Sequence, residues 1–194
     1  MVGERMKKGE VKEIMRQLCA GVEYIHSRSV IHRDIKPSNI LFSANTVKLA
    51  DFGLATQCKK VCGTPNYIAP EILHQSGYSF PVDIWSLGCV LYAFLLGRPP
   101  FHAHTVQETY ARVRSGHFSM PNTLSPDWRT LLANMLSRDA TRRPLIGSIH
   151  FSKLSSKEVP VKEVCCLVDC SRRSTRGQVF QTDKSVHRRS SHNL

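Results

Sequence analysis

Asp34, Lys36, Asn39 and Asp51 fall within eighteen residues of one another, and their side chains are of the types that moving a phosphoryl group needs. Such a transfer asks little covalent work of a protein. It needs the attacking hydroxyl held in line with the phosphate, and it needs the developing negative charge neutralised. Asp34 is a carboxylate able to orient that hydroxyl and accept its proton, and Lys36, two residues on, is a cation able to reach the transferring phosphate. Asn39 and Asp51 offer the hard oxygens that Mg²⁺ prefers, which leaves its other positions for phosphate oxygens and water. Asp51 is the expected principal metal ligand. An isolated Asp or Asn more often serves a turn or a helix cap. Here the arrangement outweighs that reading. His32-Arg33-Asp34-Ile35-Lys36-Pro37-Ser38-Asn39, Asp51-Phe52-Gly53 and Ala69-Pro70-Glu71 follow in one order, with 12 residues from Asn39 to Asp51 and 18 from Gly53 to Glu71.

These residues need a scaffold, and the apolar pattern supplies one. Val11, Ile14, Met15, Leu18, Val22 and Ile25 recur at helical steps, predicting a helix that ends near His26. Val30-Ile31, Ile40-Leu41-Phe42 and Val47-Lys48-Leu49-Ala50 read as small strands or loop anchors, the last two separated by a polar turn. From Pro81 the pattern turns helical again, through 82–96, 106–115 and 128–136, punctuated by Pro99-Pro100, Pro121 and Pro126. The expected body, 1–151, is mainly α, and 152–194 reads as a basic, Ser-rich disordered tail. With 194 residues, 41% of them hydrophobic, the chain can build one domain with a substantial core.

Several function classes recede on composition. The apolar run from Ile84 to Leu96 is too short for a bilayer, which takes about 20 residues, and 1–8 has no apolar stretch of the secretory type. An intracellular protein without membrane spans is expected. Seven cysteines at irregular spacing fit reduced thiols rather than a disulfide framework or a zinc site. The net charge of +12 raises nucleic-acid binding. It is spread over body and tail, so that binding mode ranks last.

The three motifs together resemble the serine/threonine protein kinase superfamily over about Val11 to Pro144. Lys36 inside Asp-x-Lys-x-x-Asn, and Gly63-Thr64-Pro65 leading to Ala69-Pro70-Glu71, are similar to serine/threonine rather than tyrosine kinases. A narrower resemblance is to polo-like kinases. It rests on Asp51-Phe52-Gly53-Leu54-Ala55-Thr56, on Cys62-Gly63-Thr64-Pro65-Asn66-Tyr67-Ile68-Ala69-Pro70-Glu71, and on Gly77-Tyr78-Ser79-Phe80-Pro81-Val82-Asp83-Ile84-Trp85-Ser86-Leu87-Gly88-Cys89.

The resemblance implies a kinase C-terminal lobe that uses ATP and Mg²⁺ on serine and threonine hydroxyls of protein substrates. Thr64 would contact Asp34 and Lys36, and Asp83 would accept hydrogen bonds from the catalytic-loop backbone. Glu71 would pair with Arg143, His32 and Phe52 would form half of an internal spine, and Leu41 would lie beneath the adenine. It also marks departures. Only 31 residues precede His32, and none carries a Gly-rich phosphate loop, a strand lysine or its glutamate partner, so little or no activity is expected of the chain alone. A polo-box region for phosphopeptide docking is likewise not found. The family's Arg33 usually receives a phosphothreonine, yet 57–61 holds no Ser or Thr and Lys60 stands at the expected place, so loop phosphorylation is not expected. Arg172-Arg173-Ser174-Thr175 and Arg188-Arg189-Ser190-Ser191 read only as weak modification sites. The rival function is a non-catalytic binding module or dominant-negative fragment, with the lobe acting as a docking platform.

Overall fold

A computed structural model of the chain describes residues 6–55, 63–74, 77 and 79–154. Helix α1 (Lys8–Ser27) buries Val11, Ile14, Met15, Leu18 and Val22 as one stripe, and Lys7 N donates to Glu10 Oε2 at 3.1 Å to close its first turn. It runs one turn beyond the apolar stripe on the N-terminal side, because orphan N–H groups there are met by this acidic residue. Val30-Ile31 forms no strand. Val30 N instead donates back to Ile25 O at 2.9 Å, turning the chain toward the loop that carries Asp34.

A 3₁₀ turn at Pro37–Asn39 leads into β1 (Ile40–Ser43), which pairs antiparallel with β2 (Thr46–Leu49) in the register Ile40↔Leu49 to Ser43↔Thr46. Helix α1 braces this hairpin through Gln17, whose Oε1 accepts from Val47 N at 2.8 Å and whose Nε2 donates to Asn45 O at 3.0 Å. The ladder continues one bond further, Ala50 N to Asn39 O at 2.9 Å, bringing the segment after Asn39 beside the one that enters Asp51.

The remaining elements are helical: α2 (Pro70–Leu73), α3 (Pro81–Leu96), α4 (Val106–Ser115) and α5 (Pro126–Met135). Pro opens α2, α3 and α5 at a position where its missing N–H costs nothing. Helix α3 is apolar on every side and buried from Val82 through Leu95, as an interior helix must be. It ends at Gly97, whose φ of +79° is the left-handed conformation that glycine adopts most readily. Where α3 crosses α5, a Cβ on Gly88 would lie 3.0 Å from Met135 Cβ and Leu136 Cδ2, so the close approach requires glycine.

Trp85, Trp128, Tyr92, Phe101 and Met15 lie in the core, each side chain of that size contributing roughly 1.5–3 kcal/mol on burial. The Trp85 and Phe101 rings stack at 5.1 Å. Phe151 is buried, Leu154 packs on the same core and Lys12 Nζ donates to Leu154 O, so the folded body reaches at least Leu154. Among the described residues the fold is mainly α with two strands, and no helix is long and apolar enough to cross a membrane. Cys19 and Cys89 are buried free thiols. The stretch 57–61, the other five cysteines and the tail sites at 172–175 and 188–191 lie outside the described residues.

Candidate active site

Asp83, fully buried in the first turn of α3, organises the loop that carries Asp34. Its Oδ2 accepts from His32 N and its Oδ1 from Arg33 N, each at 2.9 Å. His26, at the end of α1, places Nε2 2.8 Å from Asp83 Oδ2. One carboxylate therefore ties the last turn of α1 to two consecutive peptide groups of the loop. The loop needs such a hold, because Arg33 has a φ of +71°, a conformation that costs a non-glycine residue about 1–3 kcal/mol.

His32 fixes the next step. Its Nδ1 accepts from Asp34 N at 3.3 Å and its Nε2 lies 3.1 Å from Ala50 O, which sets the tautomer with the proton on Nε2. The ring packs against Phe52 at 4.7 Å between centroids. This histidine joins the loop bearing Asp34 to the segment bearing Asp51.

Asp34 is buried, and both its oxygens are engaged. Oδ1 accepts from Thr64 Oγ1 at 2.7 Å. Oδ2 lies 2.7 Å from Lys36 Nζ and 3.2 Å from Asn39 Nδ2. Lys36 Nζ also donates to Thr64 Oγ1 at 2.9 Å, closing a triangle of carboxylate, ammonium and hydroxyl. Thr64 comes from the segment after Gly63, which explains that glycine: its φ is +117°, and a Cβ there would lie 3.2 Å from Arg33 O. A side chain at 63 would push Thr64 away from Asp34.

Asn39 spends its amide nitrogen on Asp34, donating to Asp34 O at 2.9 Å as well as to the carboxylate. Its Oδ1 is left as the free donor oxygen. Asp51 also has a positive φ, +64°, and its Oδ1 accepts from Gly53 N at 3.2 Å, leaving the second carboxylate oxygen exposed. A carboxylate oxygen and an amide oxygen brought to one end of the hairpin fit a hard divalent cation that draws its other ligands from phosphate and water. No cluster of three His, Cys, Asp or Glu side chains suited to a metal occurs among the described residues.

Glu71 and Arg143 form a bidentate pair, Arg143 Nη1 to Glu71 Oε1 at 2.6 Å and Nη2 to Oε2 at 2.8 Å. The guanidinium also donates to Pro81 O and Ser137 O, and lies 5.0 Å above the Trp85 ring. Leu41, on β1, is 52% exposed, beside Phe42 at 53%, and Phe52 is 44% exposed. Three contributors escaped the sequence reading. His26 carries no local signal, since its partner is 57 residues away. Trp85 beneath Arg143 and Ser86, whose Oγ donates to Tyr67 O at 2.8 Å, sit in an apolar run that reads only as core.

Comparison with known proteins gives the family: the protein kinase domain family matches residues 2–182, and the chain belongs to that family. Within it the resemblance is to polo-like serine/threonine kinases. Serine/threonine-protein kinase PLK1 of Xenopus laevis is 43% identical over 148 residues, covering 72% of this chain and 25% of that protein. Serine/threonine-protein kinase polo of Drosophila melanogaster is 40% identical over 161 residues, 78% of this chain and 28% of that protein. Inactive serine/threonine-protein kinase PLK5 of Mus musculus is 42% identical over 156 residues, 76% of this chain and 26% of that protein. The chain spans about a quarter of the length of these relatives.

Proposed function

We propose that these helices and their hairpin form the C-terminal lobe of a polo-like serine/threonine kinase that transfers the γ-phosphate of ATP to serine and threonine hydroxyls of proteins. The observation that carries this reading is the triangle of Asp34, Lys36 and Thr64. In it a buried carboxylate already accepts a hydroxyl proton donor at 2.7 Å while an ammonium lies beside both. A substrate hydroxyl offered to Asp34 would meet the same acceptor, with Lys36 placed to stabilise charge on the phosphate it attacks.

Asn39 and Asp51 would hold Mg²⁺, which supplies charge neutralisation on the phosphate oxygens. Asp83 and His32 are positioning residues, since they fix the loop without reaching the reacting atoms. The Glu71–Arg143 pair anchors the segment that delivers Thr64. Leu41 would lie under the adenine ring, and its exposure on β1 supports that role.

Transfer of labelled phosphate from ATP to casein by the chain, and by any longer form that its gene encodes, tests the proposal. Asp34→Asn should reduce the signal by about 10²–10⁴-fold. A second reading is a non-catalytic docking platform. It draws support from the exposed face of Leu41, Phe42 and Phe52 and from similarity to a relative named inactive. Protein partners captured equally by wild type and Asp34→Asn, without transfer in any form, would favour this second reading.

A further inference from the structure

From Ile84 through Pro126 the chain carries one carboxylate, Glu108, against Arg98, Arg112, Arg114, His102, His104 and His117. That carboxylate is committed elsewhere: Glu108 Oε2 accepts from Thr105 N at 3.4 Å in the cap of α4. The imbalance is gathered in space. A cavity of about 360 Å³ between the end of α3 and α4 is lined by Arg98, His102, Arg112 and His117, with no acidic residue in its wall. Tyr92 and Phe118 form its aromatic side, their rings edge-on at 5.8 Å, and Pro99-Pro100 stiffens the rim.

The cationic groups are held, not merely nearby. Arg112 Nη1 donates to His102 O at 2.5 Å, which fixes the guanidinium at the mouth while leaving its other N–H groups available. Tyr92 Oη donates to Ser119 O at 2.7 Å, and burial raises the pKa of that phenol while the positive charge of Arg98 opposes the rise. Among the described residues neither Arg98 nor Arg112 meets a carboxylate. Two guanidiniums facing one cavity repel each other unless an anion joins them, and planar guanidinium forks match tetrahedral oxyanions.

We propose that this cavity binds a phosphate monoester carried on a polypeptide, a phosphoserine or phosphothreonine side chain. The choice of a polypeptide follows from the volume and the wall. The space exceeds what one tetrahedral anion fills, and the Phe118 and Tyr92 side offers an apolar seat for the residue next to the phosphorylated one. The site is separate from the triangle around Asp34 and does not depend on transfer occurring there.

The test uses the full chain and two immobilised pools of degenerate peptides, one centred on phosphoserine and one on serine. The phosphoserine pool should retain the chain and the serine pool should not. Arg98→Gln/Arg112→Gln should reduce retention by about tenfold or more, while Arg142→Gln, an exposed arginine outside the cavity, should match wild type. Thermal melting of each variant confirms folding, and Arg112→Lys, which keeps charge but not the fork, should fall between. Equal retention on both pools, equal retention by the double glutamine variant, or no retention on either pool overturns the proposal. Complete displacement from the phosphoserine pool by an equimolar amount of inorganic phosphate would assign the site to the free anion and overturn the polypeptide assignment.

Discussion

His26 Nε2 lies 2.8 Å from Asp83 Oδ2, and the same oxygen accepts from His32 N at 2.9 Å. A helix end is thereby locked to the loop bearing Asp34 through one buried carboxylate. Removing a partner of a buried hydrogen-bonded group costs about 1–3 kcal/mol, and stripping a buried charge network costs roughly 3–5 kcal/mol. His26→Ala should therefore lower the unfolding free energy by the smaller amount. Asp83→Ala, which orphans two backbone N–H groups, should cost the larger one. Urea denaturation measures both, and equal stability of Asp83→Ala and wild type would contradict the role given to Asp83.

Glu71 and Arg143 make two parallel hydrogen bonds, and Arg143 in addition caps Trp85 and two carbonyls. Either alanine substitution should destabilise by roughly 3–5 kcal/mol. Arg143→Lys keeps the charge but cannot form the fork or stack on the indole, so it should recover only a part. A lysine variant with the wild-type melting temperature would show that charge alone suffices.

Gly88 permits the closest approach of α3 and α5. Adding one methyl there should cost about 1–3 kcal/mol through overpacking, seen as a lower denaturation midpoint. Gly21, whose Cβ position is open, should tolerate alanine and serves as the comparison.

Much of this fold was legible because long apolar periods decide helices. Residues 82–96 and 106–115 read as helices and form α3 and α4, and the short apolar runs at 40–42 and 47–50 form the hairpin. What was not legible is non-local. Nothing around His26 points to Asp83, and nothing in Arg33 or Asp51 announces a positive φ; Arg33 is held there by Asp83, 50 residues away. The cation-lined cavity was hidden for the same reason: its arginines and histidines are unremarkable one by one, and only the path of the chain from the end of α3 through α4 collects them. Glu71 and Arg143 are 72 residues apart, so their pairing came from family resemblance and not from any pattern in the chain itself.

Burial pushes the Cys19 thiol up to about 12 and the Cys89 thiol further in the same direction. In the unfolded chain such thiols ionise near ~8.5. Folded thiols thus keep protons that unfolded ones release, so their contribution is complete below that pH and is lost as pH rises toward the folded value. Stability should fall by about 1.4 kcal/mol per pH unit per thiol over this window. Cys89→Ala should show a shallower decline in urea midpoint between about pH 8 and 11 than wild type. An identical slope would mean that Cys89 ionises freely. Below this window, native Cys19 and Cys89 should resist alkylation and react only after denaturation.

The most direct test of the account is phosphoryl transfer from Mg·ATP to a protein hydroxyl by the most active form of this protein, compared with its Asp34→Asn variant. Loss of the proton acceptor should reduce the rate by about 10²–10⁴-fold, measured at a temperature where melting shows both forms folded. Undiminished transfer by the variant would contradict the assignment of Asp34, and with it the reading of the Asp34, Lys36 and Thr64 triangle as the reacting centre.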